Sequence, residues 1–87
     1  MAEYILTHIA DNIENKHNFP TLDAIKAYVK QAIIANQKNV EAGAVKSVSV
    51  NDWHVEDGVM TCEIVVLEKN GKESRHIFKA KEKSYIF

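Results

Sequence analysis

The chain has 87 residues, 46% of them hydrophobic and 26% charged, with a formal net charge of −1. That length suits one domain (1–87) around a single core, and that composition excludes wholesale disorder. The balance lacks the basic excess of a general nucleic-acid binder, and no run of about 18 apolar residues is present to cross a bilayer.

No basic start followed by an apolar core reads as a signal peptide, so the expected location is cytoplasmic, with no membrane partner. Cys62 is the one cysteine in the sequence and has no partner for an internal disulfide. Its place in an apolar run marks it as a small buried hydrophobe in a reducing compartment.

From Ala2 to about Lys16, Ile5, Ile9 and Ile13 recur every four residues, with Tyr4 and Leu6 alongside. This spacing predicts an amphipathic helix with Thr7, Asp11, Asn12 and Glu14 on its wet side. His17-Asn18-Phe19-Pro20 ends it, because the residue before proline avoids the α region. Thr21 then serves as an N-cap, and Asp23 in the first turn complements the helix dipole. Leu22, Ile25, Val29, Ala32 and Ile33 trace the buried face of a second helix. Its end falls either at Gln37 or at Glu41 or Ala42, the latter with Gly43 as the C′ residue.

After Val45 the period changes to two. Val48 and Val50 face one way, Ser47, Ser49 and Asn51 the other. Asp57-Gly58 is a hairpin turn, and a bulge near Asn51-Asp52 would bring Trp53 back to the core side. The strand Val59 to Glu68 returns through Lys69-Asn70-Gly71 to a strand ending near Ala80. A three-residue loop with Gly71 left-handed pairs Glu68 with Lys72 and sets Met60, Cys62, Ile64 and Val66 opposite Ala80, Phe78, His76 and Ser74. That register makes one face mostly apolar, whereas a two-residue loop mixes the faces.

The predicted fold is therefore α+β. Two N-terminal helices pack on one face of a three-stranded antiparallel meander, in the order α-α-β-β-β, with a short C-terminal strand extension as an option.

No motif carries chemistry. His8, His17, His54 and His76 lack the close spacings of a zinc site, and His54-Val55-Glu56 is the one local pair. The serines have no glycine-flanked elbow, and no phosphate-binding glycine loop occurs. No catalytic, cofactor or metal residue is assigned.

Two surfaces remain. Val65, Leu67 and Ile77, together with Trp53 if no bulge returns it to the core and Tyr85, Ile86 and Phe87 unless they pack on the helices as a last strand, are apolar residues left over once the core is filled, and such patches mark protein partners. Arg75, Lys79, Lys81, Lys83 and Tyr85 interleave charge with an aromatic ring in the way that tracks a phosphate backbone. The expected function is a small non-enzymatic protein-interaction module, a regulator or inhibitor that occupies a partner's surface. Inhibitors encoded by phages and other mobile elements have this profile, and self-association through a sheet face or edge is one version of it. Nucleic-acid binding through the basic set is the alternative, and a small enzyme without a recognisable motif is third.

Overall fold

The computed structural model describes residues 3–83. Among them the chain forms β1 (Tyr4–Ala10), β2 (Ile13–Phe19), α1 (Leu22–Glu41), β3 (Ser47–Glu56), β4 (Val59–Leu67) and β5 (Glu73–Glu82). All the pairings are antiparallel, and the sheet order is β2-β1-β5-β4-β3. Thus β1 lies inside the sheet, bonded to β2 on one side and β5 on the other.

This corrects the expectation of two N-terminal helices on a three-stranded meander. The first expected helix is the β1–β2 hairpin, and one helix rather than two covers the sheet. The reason lies in arithmetic: a step of four is close to one helical turn but is also an even number, so it preserves the face of a strand. Ile5 and Ile9 share one side of β1, while Tyr4, Leu6, His8 and Ala10 share the other. Asp11 and Asn12 form the turn with φ of 52° and 63°. Positive φ at both central residues is the two-residue hairpin geometry whose twist suits antiparallel strands, and Asp and Asn tolerate it better than most side chains.

The second expected helix is present as α1. The Thr21 hydroxyl accepts a hydrogen bond from the Ala24 N–H at 3.1 Å, satisfying one of the donors that a helix start leaves bare. The helix continues to Glu41, and Gly43 takes a φ of 77° just beyond it. Of the two ends read from the sequence, the later one holds.

The β4–β5 hairpin has the three-residue loop. The Glu68 N–H donates to the Lys72 carbonyl at 2.8 Å, the Gly71 N–H donates to the Glu68 carbonyl at 3.0 Å, and Gly71 has a φ of 86°. Met60, Cys62, Ile64 and Val66 pair with Ala80, Phe78, His76 and Ser74 as expected. In β3 the register shifts between Asn51 and His54, so Asp52 and Trp53 together oppose Cys62. This bulge turns Trp53 onto the core.

The core lies between α1 and one face of the sheet. Leu6, Ile25, Val29, Cys62 and Ile64 are fully buried, and Phe78 is 2% exposed. Each such aliphatic or aromatic side chain contributes about 1.5–3 kcal/mol by leaving water. No described element packs on the opposite face.

Candidate interaction surface

The open face is built by the alternate residues of each strand. Following the pairings across it, one row reads Lys16, Thr7, Lys79, Thr61, His54, and the next reads Glu14, Ile9, Ile77, Glu63, Asn51. Ile5 stands beside Lys81, and Val65 lies between Arg75 and Ser49. Ile5, Ile9, Val65, Leu67 and Ile77 are half-buried by their neighbours on the sheet. Thr61 is buried, and its hydroxyl donates to the Val59 carbonyl at 3.1 Å.

Charge is sorted along this face. At one end, Lys16 and Lys79 flank Thr7 from the two neighbouring strands, with Lys81 beside Ile5. None of these three lysines has a carboxylate within 4.0 Å among the described residues. A shallow basin of about 320 Å3 opens there, lined by Ile5, Thr7, Lys16, Lys81, Glu82 and Lys83. At the other end Arg75 meets Glu63 at 3.0 Å and Glu73 at 2.8 Å, so its charge is locally balanced. A second basin of about 300 Å3 lies against Ile9, Asp11, Asn12, Glu73, Arg75 and Ile77.

The residues singled out from the sequence are therefore redistributed. Val65, Leu67 and Ile77 do share the open face. Trp53 does not join them, since the bulge sends it to the other side of the sheet. Arg75 is engaged by two acids, while Lys79 and Lys81 remain together. The Lys83 N–H donates to the Glu3 carbonyl at 2.8 Å, and its ammonium lies 3.9 Å from the Glu3 carboxylate. Tyr85, Ile86 and Phe87, and any strand extension through them, lie outside the described residues. Ile5, Thr7, Ile9 and Lys16 belong to the surface but were read as parts of a helix. The density of Tyr, Ile and Thr in residues 4–9, with no apolar partner three residues on from Ile5 or Ile9, is the signal that would place Ile5, Thr7 and Ile9 on a strand.

On the helix side, His8 and His76 meet near the end of β1. His8 Nε2 and His76 Nδ1 are 3.0 Å apart, and the His8 ring stacks on Phe78 with centroids 4.5 Å apart. Burial, and then the neighbouring His76 and His17 rings, push the His8 pKa down. One ring nitrogen must donate and the other accept, so the pair holds as drawn only while at least one ring is neutral. His54 shows the reverse. Its Nδ1–H donates to the Asp52 carbonyl at 2.8 Å, and its Nε2 lies 3.3 Å from the Glu56 carboxylate. These two acceptors favour the protonated ring and raise its pKa. Cys62 is fully buried, and burial followed by the Asp52 charge pushes its thiol pKa up, which keeps it in the unreactive form. Among the described residues no three His, Cys, Asp or Glu side chains are placed to hold a metal ion, and no helix is long and apolar enough to cross a membrane.

Comparison with known proteins finds no matching family, no matching curated protein and no matching solved structure.

Proposed function

We propose that the protein is a non-enzymatic binding module that occupies the surface of a partner protein through the open face of its sheet. The observation that carries this reading is the order on that face: Ile9, Ile77 and Val65 run across the central strands, and beyond them at one end three unpaired lysines surround Thr7 and Ile5. Interfaces combine an apolar middle with a charged rim that fixes orientation. A suitable partner presents an apolar ridge with acidic groups at one end, and holding it would regulate or inhibit that partner.

The test is capture from a native extract with three proteins: the unaltered chain, Ile9→Glu/Ile77→Glu, and Lys26→Glu on the exposed side of α1. The reading requires a captured protein that the first and third retain and the second loses. If all three retain the same proteins, the open face is not the binding surface.

Nucleic-acid binding is the second reading, supported by the clustering of Lys16, Lys79 and Lys81 around Thr7 and Ile5. It requires affinity for labelled single- or double-stranded nucleic acid that falls steeply with salt and with Lys79→Glu/Lys81→Glu. An absent or salt-independent response eliminates it.

A further inference from the structure

We infer that β2 pairs with β2 of a second copy, antiparallel about a two-fold axis through Asn15, joining two five-stranded sheets into one. It does not rest on the partner proposed for the open face, although Lys16 takes part in both.

The strand is a sheet edge: it pairs with β1 alone, and residues 13–18 are exposed. Which of its backbone groups are free follows from the turn. In a two-residue hairpin the flanking pair, here Ala10 and Ile13, exchanges hydrogen bonds, and bonded and non-bonded pairs then alternate. Ile13, Asn15, His17 and Phe19 therefore spend their backbone N–H and C=O groups on β1. Glu14, Lys16 and Asn18 present theirs to the open edge. A partner strand must place its own residues of the same set opposite these.

The side chains of that set then select the register. With Asn15 on the axis, Glu14 faces Lys16 of the second copy and Lys16 faces its Glu14, giving two cross-strand ion pairs on the open face. Sliding the strands by one pleat repeat in one direction puts Glu14 against Glu14, and in the other Lys16 against Lys16. Like charges directly opposite destabilise a strand pair. A single-step slide would place residues from opposite faces against each other. The charges on this edge thus oppose the neighbouring registers and favour one.

The favoured register also covers an apolar residue. Ile13 is 63% exposed on the helix side, and it would lie opposite His17 of the second copy. By contrast the other edge strand, β3, is interrupted by its bulge between Asn51 and His54. Bulges of this kind discourage edge pairing.

Two strands of this length bury less than the roughly 1,200 Å2 of a standard interface, so association should be weak and concentration-dependent. Sedimentation equilibrium of the whole protein up to about 0.5 mM should show monomer and dimer. Lys16→Glu and Glu14→Lys should each weaken association roughly tenfold or more, because each replaces both attractions with repulsions. Mixing these two variants should restore a dimer, since the chains are then complementary to one another. Asn15→Cys should form an intermolecular disulfide on oxidation, and Asn18→Cys should not. Circular dichroism confirms that each variant is folded. A folded chain that stays monomeric at the highest concentration overturns the proposal. So does a dimer that ignores both charge reversals, or a mixture that fails to associate.

Discussion

The two faces of the sheet share the same strands and differ in what lies over them. On the covered face Leu6, Cys62, Ile64 and Phe78 are 0–2% exposed beneath α1. One residue along from Phe78, Ile77 on the open face is half-buried by sheet neighbours alone. Fold stability requires the first set, because it forms the seam between the two layers. It asks less of the second, where branched side chains support the sheet through cross-strand pairs worth a fraction of a kcal/mol each. Neither term calls for three lysines gathered around Thr7 and Ile5 with no carboxylate within 4.0 Å among the described residues. That arrangement is what motivates the proposal that the open face receives another molecule.

The largest effect should come from the covered side. Phe78→Ala removes the biggest buried ring and should cost about 3–5 kcal/mol in urea unfolding. A cost below about 1 kcal/mol would mean that this face is not the seam of the fold. Thr21→Ala loosens the cover at its start by removing the acceptor for Ala24, and should lower stability by about 1 kcal/mol. Thr21→Asp, which keeps an acceptor, should lose little of it. Ile77→Ala, adjacent to Phe78 but facing outward, should cost under about 1 kcal/mol. A loss as large as that of Phe78→Ala would show that something covers the open face.

The smallest effect concerns pH. Because the folded protein lowers the His8 pKa from 6.5, the unfolded chain takes up this proton first as the solution is acidified. Stability from the neutral ring is therefore fully present above pH 6.5 and declines as pH falls through 6.5 toward the depressed folded value. His8→Phe keeps a ring against Phe78 and should flatten that part of the pH–stability profile. An unchanged slope would place the titration elsewhere.

How much of this was visible in the sequence depended on the punctuation available. Asn70-Gly71 fixed the β4–β5 register, because only the three-residue loop kept the apolar residues on one face. The alternation of β3, broken at Trp53, exposed the bulge. Thr21 and the stripe through Ile25 and Val29 were enough for α1. The β1–β2 hairpin escaped because Asp11-Asn12 makes a tight turn without glycine and because the isoleucines advance in steps of four. A helical reading of residues 2–16 hides Ile5, Thr7, Ile9 and Lys16 and leaves only the half of the lysine cluster contributed by β5. The sequence leaves Trp53 between the two faces, and the bulge between Asn51 and His54 decides for the core.

The pairing of β1 with β5 has a consequence for how the molecule comes into being. Leu6 lies against Ala80, and β2, α1, β3 and β4 all fall between them in the chain. During synthesis the first hairpin and the helix emerge with one side of β1 unsatisfied, and that side is filled only after β5 has been made. The long separation raises the entropic cost of closing the sheet, which is met before the β1–β5 contacts form. Until closure, β1 presents an unpaired edge on one side of its own hairpin. The interval before β5 arrives is thus the period in which it most needs shielding from other unfinished chains.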